Sequence, residues 1–119
     1  MPAGGSHYAG QTSEHLGVTL RVSGDGGYVA RMRVRYRVKC ADGARGTPST
    51  SLFDLKVDSH GRFGFNGTYT GKVDKSRNRV KLHGKISARR AAGTFVLAAK
   101  RKKVRCNSAR ISWHARVAS

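Results

Sequence analysis

Apolar and polar positions alternate with a period of two along most of the chain, and no segment carries the three-to-four-residue period of a helix. The clearest run is Arg31 to Cys40, where Met32, Val34, Tyr36, Val38 and Cys40 alternate with Arg31, Arg33, Arg35, Arg37 and Lys39. A strand with that pattern turns its apolar side chains to a core and its cations to solvent, in a file about 26 Å long. Val80, Leu82, Gly84 and Ile86 repeat the pattern against Arg79, Lys81, His83 and Lys85, and Ile111, Trp113, Ala115 and Val117 repeat it against Arg110, Ser112, His114 and Arg116. Leu16, Val18, Leu20 and Val22 make a further apolar side near the start, after a short first strand over residues 8–13. Phe53, Leu55 and Val57 are expected inward, opposite Asp54, Lys56 and Asp58. Residues 93–99 are apolar on both faces, as in a central or doubly covered strand.

Turn chemistry divides these runs. Ser23-Gly24-Asp25-Gly26-Gly27 reads as a hairpin turn with Asp25 as a turn residue, and Ser59-His60-Gly61 as another. Asn66-Gly67 is a strong turn signal between Phe63 and Phe65 on one side and Tyr69, Gly71 and Val73 on the other. Residues 41–51 form the longest loop, residues 74–78 a turn, residues 87–92 a connection and residues 100–105 a polybasic hairpin connection. The expected fold is all-β: about eight antiparallel strands without a long helix, closing as a small meander barrel or folding as a β-sandwich. Residues 1–7 read as a flexible leader and residues 8–119 as a single β domain.

Charge narrows the partners. Against 24 Lys and Arg stand 6 Asp and Glu, a net charge of +18 that internal ion pairs cannot neutralise. That excess points to an anionic polymer: a nucleic acid, an acidic polysaccharide or an anionic cell surface. The expected anion-binding residues are Arg31, Arg33, Arg35, Arg37 and Lys39 in one file, Arg79, Lys81 and Lys85 in another, and Lys102 and Lys103 in the hairpin. A simple solvated face is the bland alternative for either file. If the two files lie side by side, like charges meet and a bound anion relieves the repulsion. No groove-reading helix or finger motif is present, so readout of base sequence is not expected. No apolar run reaches membrane-spanning length, and no transmembrane segment, cofactor, metal site or oligomeric state is assigned.

Cys40 and Cys106 are too far apart in sequence for a zinc or redox motif; they read as one long-range disulfide, with two buried free thiols as the alternative. His7, His15, His60, His83 and His114 raise a second function, a small secreted nuclease. In it His83 and His114 act as acid and base on a phosphodiester if their strands are neighbours, with Lys81 or Arg116 stabilising the developing charge. Glu14 beside His15 is another candidate pair, but no nucleophile motif accompanies either, and no catalytic residue is assigned. Phe63 and Phe65 share a face and would stack on unpaired bases if exposed; Trp113 and Tyr36 read as core. A third class is a structural or self-assembling cell-surface β protein whose basic face makes subunit or wall contacts.

Tyr8, Gly10, Thr12 and Ser13, then Cys40, Gly61, Phe63, Gly93-Thr94, Cys106, Ser108, Trp113, Ala115 and Arg116 give an ordered pattern over most of the chain. It resembles small secreted β-rich bacterial proteins of poorly defined function. The resemblance implies export, a location outside the cell or at its surface, a Cys40 to Cys106 bridge and an all-β domain. It supplies no activity, and the abundance of Arg and Lys departs from the group.

Overall fold

The structure, a computed structural model, describes residues 4–70, 77–101 and 103–118. Its elements in chain order are β1 (His7–Thr12), β2 (Gly17–Val22), β3 (Tyr28–Arg35), β4 (Val38–Cys40), β5 (Arg45–Gly46), β6 (Ser49–Lys56), β7 (Arg62–Thr70), β8 (Arg77–Ile86), β9 (Arg90–Arg101), β10 (Val104–Ser108) and β11 (Ile111–Val117). Every ladder is antiparallel and no helix occurs among the described residues. Eleven strands replace the expected eight because the long basic run breaks at residues 36–37 into β3 and β4, and because β5 and β10 form where a loop and a hairpin connection are expected.

β1 and β2 form a hairpin inserted between β11 and β3, pairing with one on each side. Its tip is held there: the Ser13 N–H donates to the Ser112 carbonyl at 2.7 Å, and the Arg37 N–H to Glu14 Oε1 at 3.1 Å. Beyond the tip nothing separates the flanking runs, so β4 pairs directly with β10. Alongside the hairpin eight strands curl in the order β7-β8-β9-β11-β1-β2-β3-β6; beyond it six continue as β7-β8-β9-β10-β4-β5. Among the described residues no ladder joins β6 to β7, so the single curled sheet is an open half-barrel rather than a closed barrel.

β9 is the central strand that the sequence indicates, with β8 along one edge and β11 then β10 along the other. Where the second edge changes partner, Ser108 Oγ accepts the Leu97 N–H at 2.8 Å and donates to the Ala109 carbonyl, filling the gap in the ladder. Cys40 and Cys106 face each other in the β4–β10 register and are joined by a disulfide, which settles the thiol alternative.

Inward residues of all long runs meet in one core containing Tyr8, Met32, Val34, Tyr36, Val80, Leu82, Phe95 and Trp113. Each large side chain buried there contributes roughly 1.5–3 kcal/mol. Trp113, Gly93 and Gly84 are in register across β11, β9 and β8; Gly84 leaves the space that the indole and the Phe63 ring occupy, while Gly93 lets the β8 backbone come close at His83. Tyr36 reaches across the interior to Phe95, ring centroids 4.8 Å apart, and its hydroxyl bonds Thr50 Oγ1 at 2.7 Å.

Several local expectations are corrected. Asn66-Gly67 is not a turn: both residues lie mid-strand in β7, paired with Lys81 and Val80, and Gly67 makes room for the Phe65 ring. Phe53 points outward because Asp54, at φ 55°, shifts the phase of β6 opposite an irregularity in β3, leaving Leu52 and Leu55 inward. Residues 90–92 belong to β9, Arg77 and Asn78 to β8, and the long loop contains β5 and the first residues of β6. Residues 4–6 follow the end of β2, with the Val22 N–H donating to the Ser6 carbonyl. Met1, Pro2 and Ala3 of the leader, Gly71 and Val73, and Asp74, Lys75 and Ser76 of the expected turn lie outside the described residues.

Candidate polyanion-binding surface

Strand register decides which outward cations become neighbours. Beyond the hairpin tip, Arg77 of β8 faces Lys100 of β9, which faces Arg105 of β10. Strands stand about 4.8 Å apart, so this row brings together three cations with no carboxylate between them. In the next row Thr68, Arg79, Ala98, Asn107, Lys39 and Arg45 follow one another from β7 to β5. The small, neutral Ala98 and Asn107 form the floor between the cations. This upper band therefore holds six cations, Arg77, Lys100, Arg105, Arg79, Lys39 and Arg45, in two adjacent rows.

Two columns leave the band. Along β8 run Arg79, Lys81 and Lys85, all exposed, with His83 between the lysines. Along the broken run β3/β4 lie Arg31, Arg33, Arg35, Arg37 and Lys39, also exposed; the strand is interrupted at Tyr36–Arg37, where its neighbour changes from β2 to β10, so the file is not the one continuous strand that the alternation suggests. Arg21 stands opposite Arg31, and the Arg31 guanidinium lies 5.9 Å from the Phe53 ring centre, an outward cation–π contact. The two files are not side by side: β9, β11, β1 and β2 separate β8 from β3. Only their ends approach, through Lys39 and Arg79 in the shared row. Lys103 is exposed beside the band, and Lys102 lies outside the described residues.

The sequence reading passed over Arg77, Lys100 and Arg105 as a combined row, and Arg45 entirely. Their signal is the register of two consecutive hairpins, in which β8 sets Arg77 opposite Lys100 on β9 and β10 sets Arg105 opposite the same Lys100. The polybasic stretch at 100–105 hinted at it, because a hairpin there must set Lys100 against Arg105.

Counter-charge is sparse: Glu14 borders the depression shared by Arg37, Lys39 and Arg45, and Asp42 sits in the turn between Lys39 and Arg45, while no carboxylate enters the Arg77–Lys100–Arg105 row. The only ion pair among the described residues joins Arg62 to Asp58 at 3.3 Å, both well exposed. Asp58 is held below the usual carboxylate range first by the Arg62 N–H and then by the His60 N–H and the Arg62 charge. Asp25 is lowered by the Ser23 hydroxyl and the Gly27 N–H, within its turn. Asp42 accepts the Ala44 N–H in the β4–β5 turn, and Glu14 is engaged at the hairpin tip.

The other candidate chemistries are dispersed. β9 lies between the strands of His83 and His114, whose partners on it are Thr94 and Ala92, so their Cα positions are roughly 12 Å apart by strand geometry. The neighbouring-strand condition for an acid–base pair is not met. His15 occupies the hairpin tip at φ 63°, while the adjacent Glu14 is turned to Arg37. Phe63 is buried against Trp113, ring centroids 6.1 Å apart, and Phe65 packs against the same core, so this pair offers no exposed stacking platform. No three His, Cys, Asp or Glu side chains cluster among the described residues, and none of their segments is a helix long and apolar enough to cross a membrane. Comparison with protein families, curated proteins and solved structures finds no match to this chain.

Proposed function

We propose that this protein is a secreted or cell-surface, non-catalytic binding module for anionic polymers. The observation that carries the reading is the row Arg77, Lys100, Arg105: cations set directly opposite one another, without a carboxylate, in a band that also holds Arg79, Lys39 and Arg45. Like charges directly opposed across strands destabilise a sheet, and a bound phosphate, sulfate or carboxylate removes that cost. The disulfide belongs to an oxidising compartment and so supports export. Contacts are to charged groups of the polymer, by Arg77, Arg79, Lys81, Lys85, Lys100, Arg105, Lys39 and Arg45, with Arg31, Arg33, Arg35, Arg37 and Lys103 extending the surface.

The test is a competition panel of duplex DNA, single-stranded RNA, heparin and anionic vesicles, each across a salt series. Engagement of six or more phosphates of duplex DNA gives a log–log salt slope of about −5 or steeper. A nearly flat response in every arm refutes the reading. The free edges of β6 and β7 favour a second one, a self-assembling β protein, because unpaired strand edges are templates for further pairing. Concentration-dependent light scattering without added polyanion is its signature.

A further inference from the structure

The cations are not one patch but a bent track, and four shallow depressions on the outer surface follow it in series. The first, about 470 Å³, is bordered by His7, Arg21, Arg31 and Arg33. Past Arg35, Arg37, Lys39, Arg45 and Asn107 border the second, about 620 Å³, with Glu14 at its rim as the one carboxylate among the residues lining the four depressions. Asn107 is shared with the third, about 330 Å³, where Arg77, Arg79, Lys100 and Arg105 converge. Lys81, next outward on β8 after Arg79, opens the fourth, about 570 Å³, with Asn66, His83 and Arg110.

From this geometry we infer that the ligand is a single flexible chain of acidic polysaccharide, which climbs the β3/β4 column, crosses the upper band and descends β8. The inference rests on the polyanion reading above and names its substrate class. Duplex DNA is stiff over roughly 500 Å and touches a convex wall along one line, so it engages one limb of the track. A flexible polymer follows the bend. Single-stranded nucleic acid draws much of its affinity from aromatic rings stacked on successive bases. Among the described residues the exposed large aromatics, Tyr28 and Phe53, sit at the foot of the β3 column, the floor of the band is Ala98 and Asn107, and along β8 the half-buried Phe65 is the aromatic ring at the surface of the fourth depression. The disulfide also places the domain where acidic polysaccharides are the abundant polyanions.

The track sets a length. Arg31 to Lys39 spans about 26 Å, the three strand steps to Arg79 about 14 Å, and Arg79 to Lys85 about 20 Å, near 60 Å in all. The longest dimension of the molecule is 44 Å, so a straight chain stops gaining contacts well before a bent one.

Size-fractionated heparin oligosaccharides, titrated at fixed salt against the full chain, test this. Affinity is expected to rise with contour length to about 60 Å and then level, and the exposed-site variant Arg31→Gln/Arg33→Gln/Arg35→Gln to bring the plateau down to roughly 40 Å or less. A wild-type plateau at or below 44 Å, or one unmoved by that variant, overturns the bent track while salt-dependent binding leaves the general reading standing. Tighter binding of charge-matched single-stranded or duplex DNA overturns the polysaccharide assignment. Absence of salt-dependent binding to every polyanion sinks both.

Discussion

Arg77 of β8 and Lys100 of β9 stand directly opposite one another on the outer face of the sheet, like charge against like charge. Such a pair destabilises by roughly 0.2–1 kcal/mol relative to neutral partners and does so most at low ionic strength. Lys100→Thr is therefore expected to raise the thermal midpoint at low salt and to weaken polyanion binding together. Added salt should close the stability gap between variant and wild type. A variant that is less stable at low salt would show the row to be held by interactions other than those described.

The Cys40–Cys106 bridge closes a loop of 66 residues at the point where β4 and β10 meet beyond the hairpin tip. On the chain-entropy account it stabilises the fold by about 4 kcal/mol. The double variant Cys40→Ser/Cys106→Ser is expected to lower the urea midpoint by a corresponding amount. A midpoint within error of wild type would place the strength of that end of the half-barrel in the ladders alone.

Gly84 carries the inner side of the core. A Cβ added there lies 2.7 Å from Trp113 Cζ2 and 2.6 Å from Phe63 Cζ, contacts that two packed rings cannot relieve without moving. Gly84→Ala is expected to destabilise by about 1–3 kcal/mol and to alter the near-ultraviolet signal of Trp113. Gly64, on the outer face of the same register region, offers a contrast: its added Cβ meets the Leu82 carbonyl, so Gly64→Ala tests strand approach without touching the indole.

Tyr8 is buried, and its hydroxyl donates to the Ser87 carbonyl at 2.5 Å. Burial raises its pKa above the ordinary 10.0, so the unfolded chain loses this proton before the folded one does. The associated stability is complete below pH 10.0 and is lost as pH rises through the raised value. Tyr8→Phe should flatten that alkaline loss while costing about 1 kcal/mol at neutral pH from the missing hydrogen bond. Urea midpoints of both proteins on either side of pH 10.0 decide it; parallel curves would reject the assignment.

At the acid end the direction reverses. Asp58 and Asp25 have folded pKa values below their ordinary 3.8, through the backbone N–H of Arg62 and the hydroxyl of Ser23 respectively. Their contribution is present above the unfolded value and is lost as pH falls through the lowered ones. Asp58→Asn should reduce the drop in thermal midpoint on acidification, and an undiminished drop would count against it.

Alternation by itself determined the all-β class, the inward set Met32, Val34, Tyr36, Val80, Leu82 and Trp113, and the outward direction of the two basic files, because side-chain orientation along a strand follows from the period of two. The distant cysteines were read as a pair for the same kind of elementary reason, since neither has a nearby ligand partner in sequence. Tertiary structure alone decided what stands beside what. Whether Arg79 neighbours Arg33 or Lys39 depends on ladders between runs far apart in the chain, and on a β1–β2 hairpin driven like a wedge between two of them. Periodicity carries no term for pairing partner. Nor does it register a phase shift such as the one at Asp54, which sent Phe53 outward, or the extended backbone that made Asn66-Gly67 part of a strand. The basic surface was therefore legible as a set of residues, while its bent course was set by which strands close on one another once the hairpin ends.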